Sequence, residues 1–200
     1  MARKNLKGPT AEPVLAADRI RKTARELFYR EGIRAVGVDE IVSRAGVTKP
    51  SLYRSFSSKD ELAAAYLRDY DVEFWARFNH SAEKHPNDSK AQILDYLRGL
   101  AERAQRPDYR GCGLTNAAVE YPIPHDHPAR LVAEDHKERL RKRLTEMAKG
   151  MDAQWPEVLA DGLLLLIEGI FVTGQLFGAG GPAMHAAEIA EMMIEASRAN

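Results

Sequence analysis

The sequence predicts an all-α fold of about nine helices, and three observations carry that expectation. No run alternates apolar and polar residues as a half-buried strand would, whereas apolar residues recur at spacings of three and four along most of the chain. Glycines and prolines fall between those periodic runs, at Gly32, Gly46, Pro86, Pro107, the prolines of YPIPHDHP and the segment GAGGP, where helices are expected to stop. The third observation divides the chain in two. It carries 29 Lys and Arg and 29 Asp and Glu, yet residues 1–60 hold thirteen basic and seven acidic side chains, a net +6, which leaves −6 for residues 61–200. A basic head on an acidic body suits a protein that meets a polyanion with one end only. At 200 residues the chain is long enough to bury a sizeable core.

Residues 1–11 read as a basic flexible tail, in which Arg3, Lys4 and Lys7 either reach phosphates or simply aid solubility. Residues 12–58 form the expected head. Ile20, Ala24, Leu27 and Phe28 fall at i, i+4, i+7 and i+8 and make one face of a helix ending near Gly32. A short amphipathic run from Val38 to Ala45 stops at Gly46. Thr48 can then cap another helix, which tolerates Pro50 because the first turn has unpaired amides anyway. Ile41, Val42, Val47 and Leu52 supply the apolar contacts that hold two such helices at a steep angle, a helix-turn-helix. The second of them carries Lys49, Ser51, Tyr53, Arg54 and Ser55, donors suited to base edges and phosphates in a major groove. Ser58 with Glu61 three residues on has the spacing of a capping box and opens the next helix. Plain helical bundles also contain two short helices joined at a glycine, so the motif alone leaves that alternative open.

Residues 19–66 resemble the DNA-binding domain of TetR-family transcriptional regulators, through RIRKTARELFYREGIRAVGVDEI and VSRAGVTKPSLYRSFSSKDELAAAY. The order of features is specific: an amphipathic helix, Gly32, Ile41, Ala45-Gly46-Val47, Leu52-Tyr53, Phe56, Lys59 and Leu62. A further echo is RGCGLTNAAVEYP, and one departure is Gly37, where the family usually has Thr or Ser. Glycine caps acceptably but offers no hydroxyl to a phosphate. The resemblance implies an N-terminal three-helix helix-turn-helix domain plus a C-terminal helical ligand-binding and dimerisation domain, residues 59–200. It makes Lys49 and Ser51 the expected base contacts, and Tyr53, Arg54, Ser55 and Lys59 the backbone or mixed contacts. Thr48, at the helix start beside Pro50, caps and touches phosphate.

Within the body, Leu62, Tyr66, Tyr70, Phe74 and Phe78 repeat every four residues and predict one helix from about Lys59 to Asn79, a rod joining head to body. Ile93, Leu97, Leu100, Ala101 and Ala104 mark the next helix, and residues 112–120 a short one. Leu140, Leu144, Met147 and Met151 stripe another, whose outer face mixes basic residues with Glu134, Asp135, Glu138 and Glu146 and so reads as solvated. Helices over Trp155 to Phe177 and Ala183 to Arg198 close the chain. The first is apolar over more than half its circumference and carries Gly162, Gly169 and Gly174; the second has the small-residue face Ala186, Ile189, Ala190, Met193 and Ala196. Together they are expected to form a four-helix homodimer interface, the family's arrangement, although both could instead bury against their own domain.

Phe74, Phe78, Tyr96, Trp155 and Phe171 come from helices that must converge, and Asn116, Glu120 and His136 add polar groups, which is the make-up of a small-molecule pocket. Aromatic stripes at helical spacing also serve as core. No cofactor and no metal is expected: HDH (residues 125–127) sits between prolines in a loop, and no ligand spacing joins it to His136. Lone Cys112 excludes an internal disulfide, leaving a buried hydrophobe or a redox sensor. No leader or membrane span is visible, so a cytoplasmic protein is expected. The reading is a ligand-responsive repressor that binds a palindromic operator as a dimer, contacts double-stranded DNA and no membrane, and is released by a small molecule. Its rivals are a DNA-binding regulator without an inducer, and an enzyme built on the helical body.

Overall fold

The computed structural model describes residues 15–123 and 126–198; the basic tail of residues 1–11 and His125 lie outside them. Nine α-helices make up the described residues: α1 Ala16–Glu31, α2 Val38–Ala45, α3 Lys49–Ser55, α4 Lys59–Lys84, α5 Ser89–Ala104, α6 Gly113–Glu120, α7 Pro128–Lys149, α8 Pro156–Phe177 and α9 Ala186–Ser197. A 3-10 turn, Pro182–His185, precedes α9. Among the described residues the only β-type pairing is the single bridge of Ala153 with Arg198, and no helix is long and apolar enough to cross a membrane.

Helix α1 buries the face Ile20, Ala24, Leu27 and Phe28 that its periodicity predicts, against α2, α3 and α4. It ends at Gly32, whose φ of 92° is open to glycine at little cost. Gly46 ends α2 in the left-handed region, φ 62° and ψ 41°, which turns the chain sharply into α3. Fully buried Ile41 and Leu52 then pin α2 and α3 to the core of the head. Helix α4 is longer than the predicted rod. Its 26 residues span about 39 Å, because nothing before His85 and Pro86 stops it. The N-cap at its start forms, Ser58 accepting from the Glu61 amide at 3.0 Å, while the Glu61 carboxylate reaches one residue beyond the reciprocal bond of a capping box and accepts from the Ser57 amide at 2.6 Å.

Around α4 the body is built in a bundle, with α7 packed between α4, α6 and α8, and α5 against α4, α8 and α9. Head and body are tied along the rod. Arg21 pairs with Asp69 and Arg25 with Glu73, two ion pairs one helical turn apart on α1 and α4.

The last two helices divide their apolar residues differently from the small-residue face read from sequence. Ala186 and Ala190 point inward and are buried within the chain, and Met193 comes against α8 at Gly162. Gly174 likewise packs internally, against Ala104 and Tyr109 of the same chain. The outward residues are Val158, Leu165, Val172 and Leu176 on α8, at intervals of seven, seven and four, with Ile189 and Met192 on α9. Leu165 is 72% and Leu176 72% exposed, and nothing lies near the Gly169 Cα on that side.

Candidate nucleic-acid interface and body cavity

On α3 the side chains divide cleanly into an anchor and an outward face. Leu52 is fully buried, whereas Lys49, Pro50, Tyr53, Arg54 and Ser55 are exposed. Thr48 caps the helix, its hydroxyl accepting from the Ser51 amide at 3.4 Å. The Ser51 hydroxyl lies 3.1 Å from that of Thr48 and accepts from the Arg54 guanidinium at 2.7 Å, while Ser55 donates to the Ser51 carbonyl at 3.2 Å. The face is therefore a short hydroxyl-rich surface with one cation at each end, Lys49 and Arg54. Lys49 is not idle: its amine sits 2.7 Å from the Asp39 carboxylate of α2, a hydrogen-bonded pair that raises the lysine's pKa.

Lys59, expected at a phosphate, is engaged inside the head. Its amine donates to the carbonyls of Ile33 (3.0 Å) and Val36 (3.1 Å) in the α1–α2 connection. It therefore clamps the loop that sets where α2 begins. Glu120, expected in the pocket, is also found at the seam. Its carboxylate accepts from the Arg34 amide at 2.9 Å and its carbonyl from the Arg34 guanidinium at 3.2 Å, so the end of α6 grips the same α1–α2 connection.

Where the body meets the head, α1, α4, α5, α8 and the loop before α6 line a half-open cavity of about 910 Å³. Of the pocket residues expected from sequence, Phe74, Tyr96 and Phe171 line it. Phe78 does not: it stacks behind Phe74, with ring centroids 6.2 Å apart. Asn116 stands outside the lining and donates to the Arg110 carbonyl at 2.8 Å, holding the wall formed by Arg110 and Gly111. Trp155 is 58% exposed at the start of α8 and takes no part.

His136 is wholly buried and lies behind the cavity, its ring 4.4 Å from that of Phe74. Its Nδ1 is 2.6 Å from Asp71, which also accepts from Arg139 at 2.8 Å. Burial, helped by the nearby charge of Lys137 and opposed by Asp71, pushes the imidazole down to about 4. It is a neutral packing residue at ordinary pH. His127 of the HDH loop caps α7, accepting from the Ala129 amide at 3.2 Å, and stacks on Tyr121. Among the described residues no group of three His, Cys, Asp or Glu side chains is placed to hold a metal ion.

Sequence reasoning missed the residues that most distinguish the cavity. Tyr29 on α1 links head and body: its hydroxyl accepts from the Arg110 amide at 3.0 Å and donates to the Gly111 carbonyl at 3.3 Å, which Tyr70 also meets at 3.2 Å. A Cβ at Gly111, whose φ is 71°, would lie 2.7 Å from the Phe171 carbonyl, so the wall depends on glycine there. Arg77, Arg103 and Tyr109 complete the lining. None of these three carried a motif; only the convergence of α4, α5 and the loop after Pro107 makes them neighbours.

Residues 20–66 match the family described as bacterial regulatory proteins, tetR family. A TetR-family transcriptional regulator from Streptomyces coelicolor is 30% identical in sequence and superposes with a TM-score of 0.79, covering 91% of this chain and 93% of that one. The transcriptional repressor KstR2 of Mycobacterium tuberculosis is 28% identical over 145 residues, 70% of this chain and 62% of its own. The transcriptional activator FasR of Mycolicibacterium smegmatis is 56% identical over 45 residues, 22% of this chain and 20% of its own. The matches span less than two thirds of either relative, and the second is confined to a segment the size of the head. The structural likeness, by contrast, extends through head and body alike, and with it the chain belongs to the TetR family of transcriptional regulators.

Proposed function

We propose that this regulator is a cytoplasmic repressor that binds a palindromic operator as a homodimer and is released by a small molecule held in the body cavity. The observation that carries the reading is the continuity of α4 from the cap at Ser58 to the cavity residues Tyr66, Tyr70 and Phe74. A ligand against those side chains pushes on a helix whose first turn, through Lys59, holds the α1–α2 connection of the head. The contact of Tyr29 with Gly111 links cavity wall to head, and that of Arg34 with Glu120 links α6 to the head. Repression is favoured over activation by the relative whose likeness extends into the body, KstR2, which is named a repressor.

In this reading the outward face of α3 enters the major groove, with Lys49, Ser51 and Arg54 nearest the bases and Thr48, Tyr53 and Ser55 toward the backbone. The exposed stripe of α8 and α9 supports dimerisation, since monomeric proteins rarely leave a contiguous apolar face of this kind in water. A two-fold dimer then reads two half-sites about 34–36 Å apart along one face of the duplex.

Footprinting on the DNA flanking the protein's own gene tests the reading. Protection of a pseudo-palindrome, relieved by a compound that raises the melting temperature of the free dimer, is the expected result. A compound that binds the free and the operator-bound dimer with equal affinity would instead favour a DNA-binding regulator without an inducer, because linkage requires reciprocal effects.

A further inference from the structure

The body as a whole is acidic, yet the cavity it forms with α1, which contributes Arg25 and Arg30, is not. Six arginines and three carboxylates line the 910 Å³ space, and one of those carboxylates, Glu73, is already held by Arg25 and Arg77. Arg77, Tyr96 and Arg103 also line a second space of about 550 Å³ that adjoins the first, alongside Lys84 and Arg98. Arg103 thus stands where the two spaces meet. Its guanidinium lies 5.9 Å from the centre of the Tyr96 ring, and among the described residues no carboxylate pairs with it and no hydrogen bond satisfies it. Arginine is otherwise found with a partner when it is drawn out of water. Burial here weakens its hold on the proton, and the neighbouring charge of Arg77 acts in the same direction.

Two further groups are left without partners on the same lining. The hydroxyls of Tyr66 and Tyr109 are shut off from water and make no hydrogen bond, although Tyr66 is 96% buried. Burial raises both well above the ordinary tyrosine range, so both remain neutral hydroxyls able to donate. Buried polar groups of this kind are ordinarily satisfied; with these two hydroxyls sealed from solvent, the half-buried Arg103 is an unpaired group that a ligand entering the cavity can reach.

We propose that the cavity is built for a small molecule with an apolar or aromatic body and an oxyanion head, the head docking on Arg103 and Arg77. Guanidinium is suited to the head because its fork of N–H groups meets two oxygens at once. Phe74, Tyr96 and Phe171 offer flat faces for the body. The inference rests on the reading of the cavity as an inducer site and adds the chemical class of the inducer.

The test uses the full-length protein and three probes with the same ring system: 1-naphthaleneacetate, its neutral amide 1-naphthaleneacetamide, and 1-naphthyl phosphate. Isothermal titration should find at least one charged probe bound about 10- to 100-fold more tightly than the amide, the range for a charge-assisted hydrogen-bonded pair. Which of the two charged probes prevails tells a carboxylate head from a phosphate. Arg103→Met should erase the ratio, and without ligand it should melt no lower than the unmodified protein, because it removes a partly desolvated cation that has no carboxylate partner. A merely structural arginine would lower the melting temperature when replaced and leave the ratio alone. The proposal is overturned if the amide matches both anions, if no probe binds, or if Arg103→Met preserves the ratio. Failure of the inducer reading looks different: the anions bind with the expected ratio but leave operator affinity unchanged.

Discussion

Acidification should unfold this protein partly through His136, and the size of the effect follows from its surroundings. In the fold the imidazole is buried and holds its proton only below about 4, against an ordinary value of 6.5. Above pH 6.5 the ring is neutral in folded and unfolded chains alike and contributes no pH dependence. Below 6.5 the unfolded chain takes up a proton that the folded chain refuses, so stability falls as the pH drops from 6.5 toward 4. The whole gap corresponds to about 3 kcal/mol, of which about 2.5 kcal/mol is lost by pH 4.5. The perturbation that isolates it is His136→Gln, whose amide can still donate to Asp71 but does not titrate. Urea unfolding of both proteins at pH 7.5 and 4.5, at one protomer concentration, gives the difference of differences. The variant should lose about 2.5 kcal/mol less than the parent over that interval. Equal losses would refute the reasoning. A parent that gains stability on acidification, relative to the variant, would show that Asp71 at 2.6 Å outweighs burial and that the imidazole is charged in the fold.

Three other outcomes are expected. Lys59→Met should lower stability by about 1.5–3 kcal/mol, since two carbonyl partners are lost, and thermal denaturation without DNA checks it; an unchanged melting temperature with weakened DNA binding would return Lys59 to a purely phosphate-contacting role. Asp39→Asn should free Lys49 and strengthen binding to unrelated DNA, with a salt dependence steeper by about one phosphate contact; mobility shifts at several salt concentrations measure it, and an unchanged slope would show that Asp39 does not restrain Lys49. Leu165→Glu, placed in the middle of the exposed α8 stripe, should give a monomer in sedimentation and lose tight operator binding, whereas a variant that stays dimeric would move the interface elsewhere.

Much of the head was legible because its signals are local. Thr48 capping α3, Gly46 in the left-handed turn and the Ser58 cap of α4 each depend on residues within four positions of one another, and all form as the sequence implies. The rod of α4 was legible for the same reason, apart from its last turns. Long side chains that reach across the fold were not. Lys59 and Glu120 have the charge of site residues, but their partners, the Ile33 and Val36 carbonyls and the Arg34 amide, are 23 to 86 positions away and are fixed only when α1, α4 and α6 pack.

By itself the sequence determined the helices, their caps, the charge division and the outward donors of α3, since backbone hydrogen bonding and periodic burial act over a few residues. Tertiary structure alone decided the rest. The rotation of α9 that turns Ala190 inward and Met192 outward depends on where α5 and α8 lie. The cavity gathers Tyr29, Arg77, Arg103 and Tyr109 from four separate segments, each unremarkable in its own stretch of chain. Whether an arginine ends in water or over the ring of Tyr96 is set by which elements surround it, and those surroundings belong to the packed bundle as a whole.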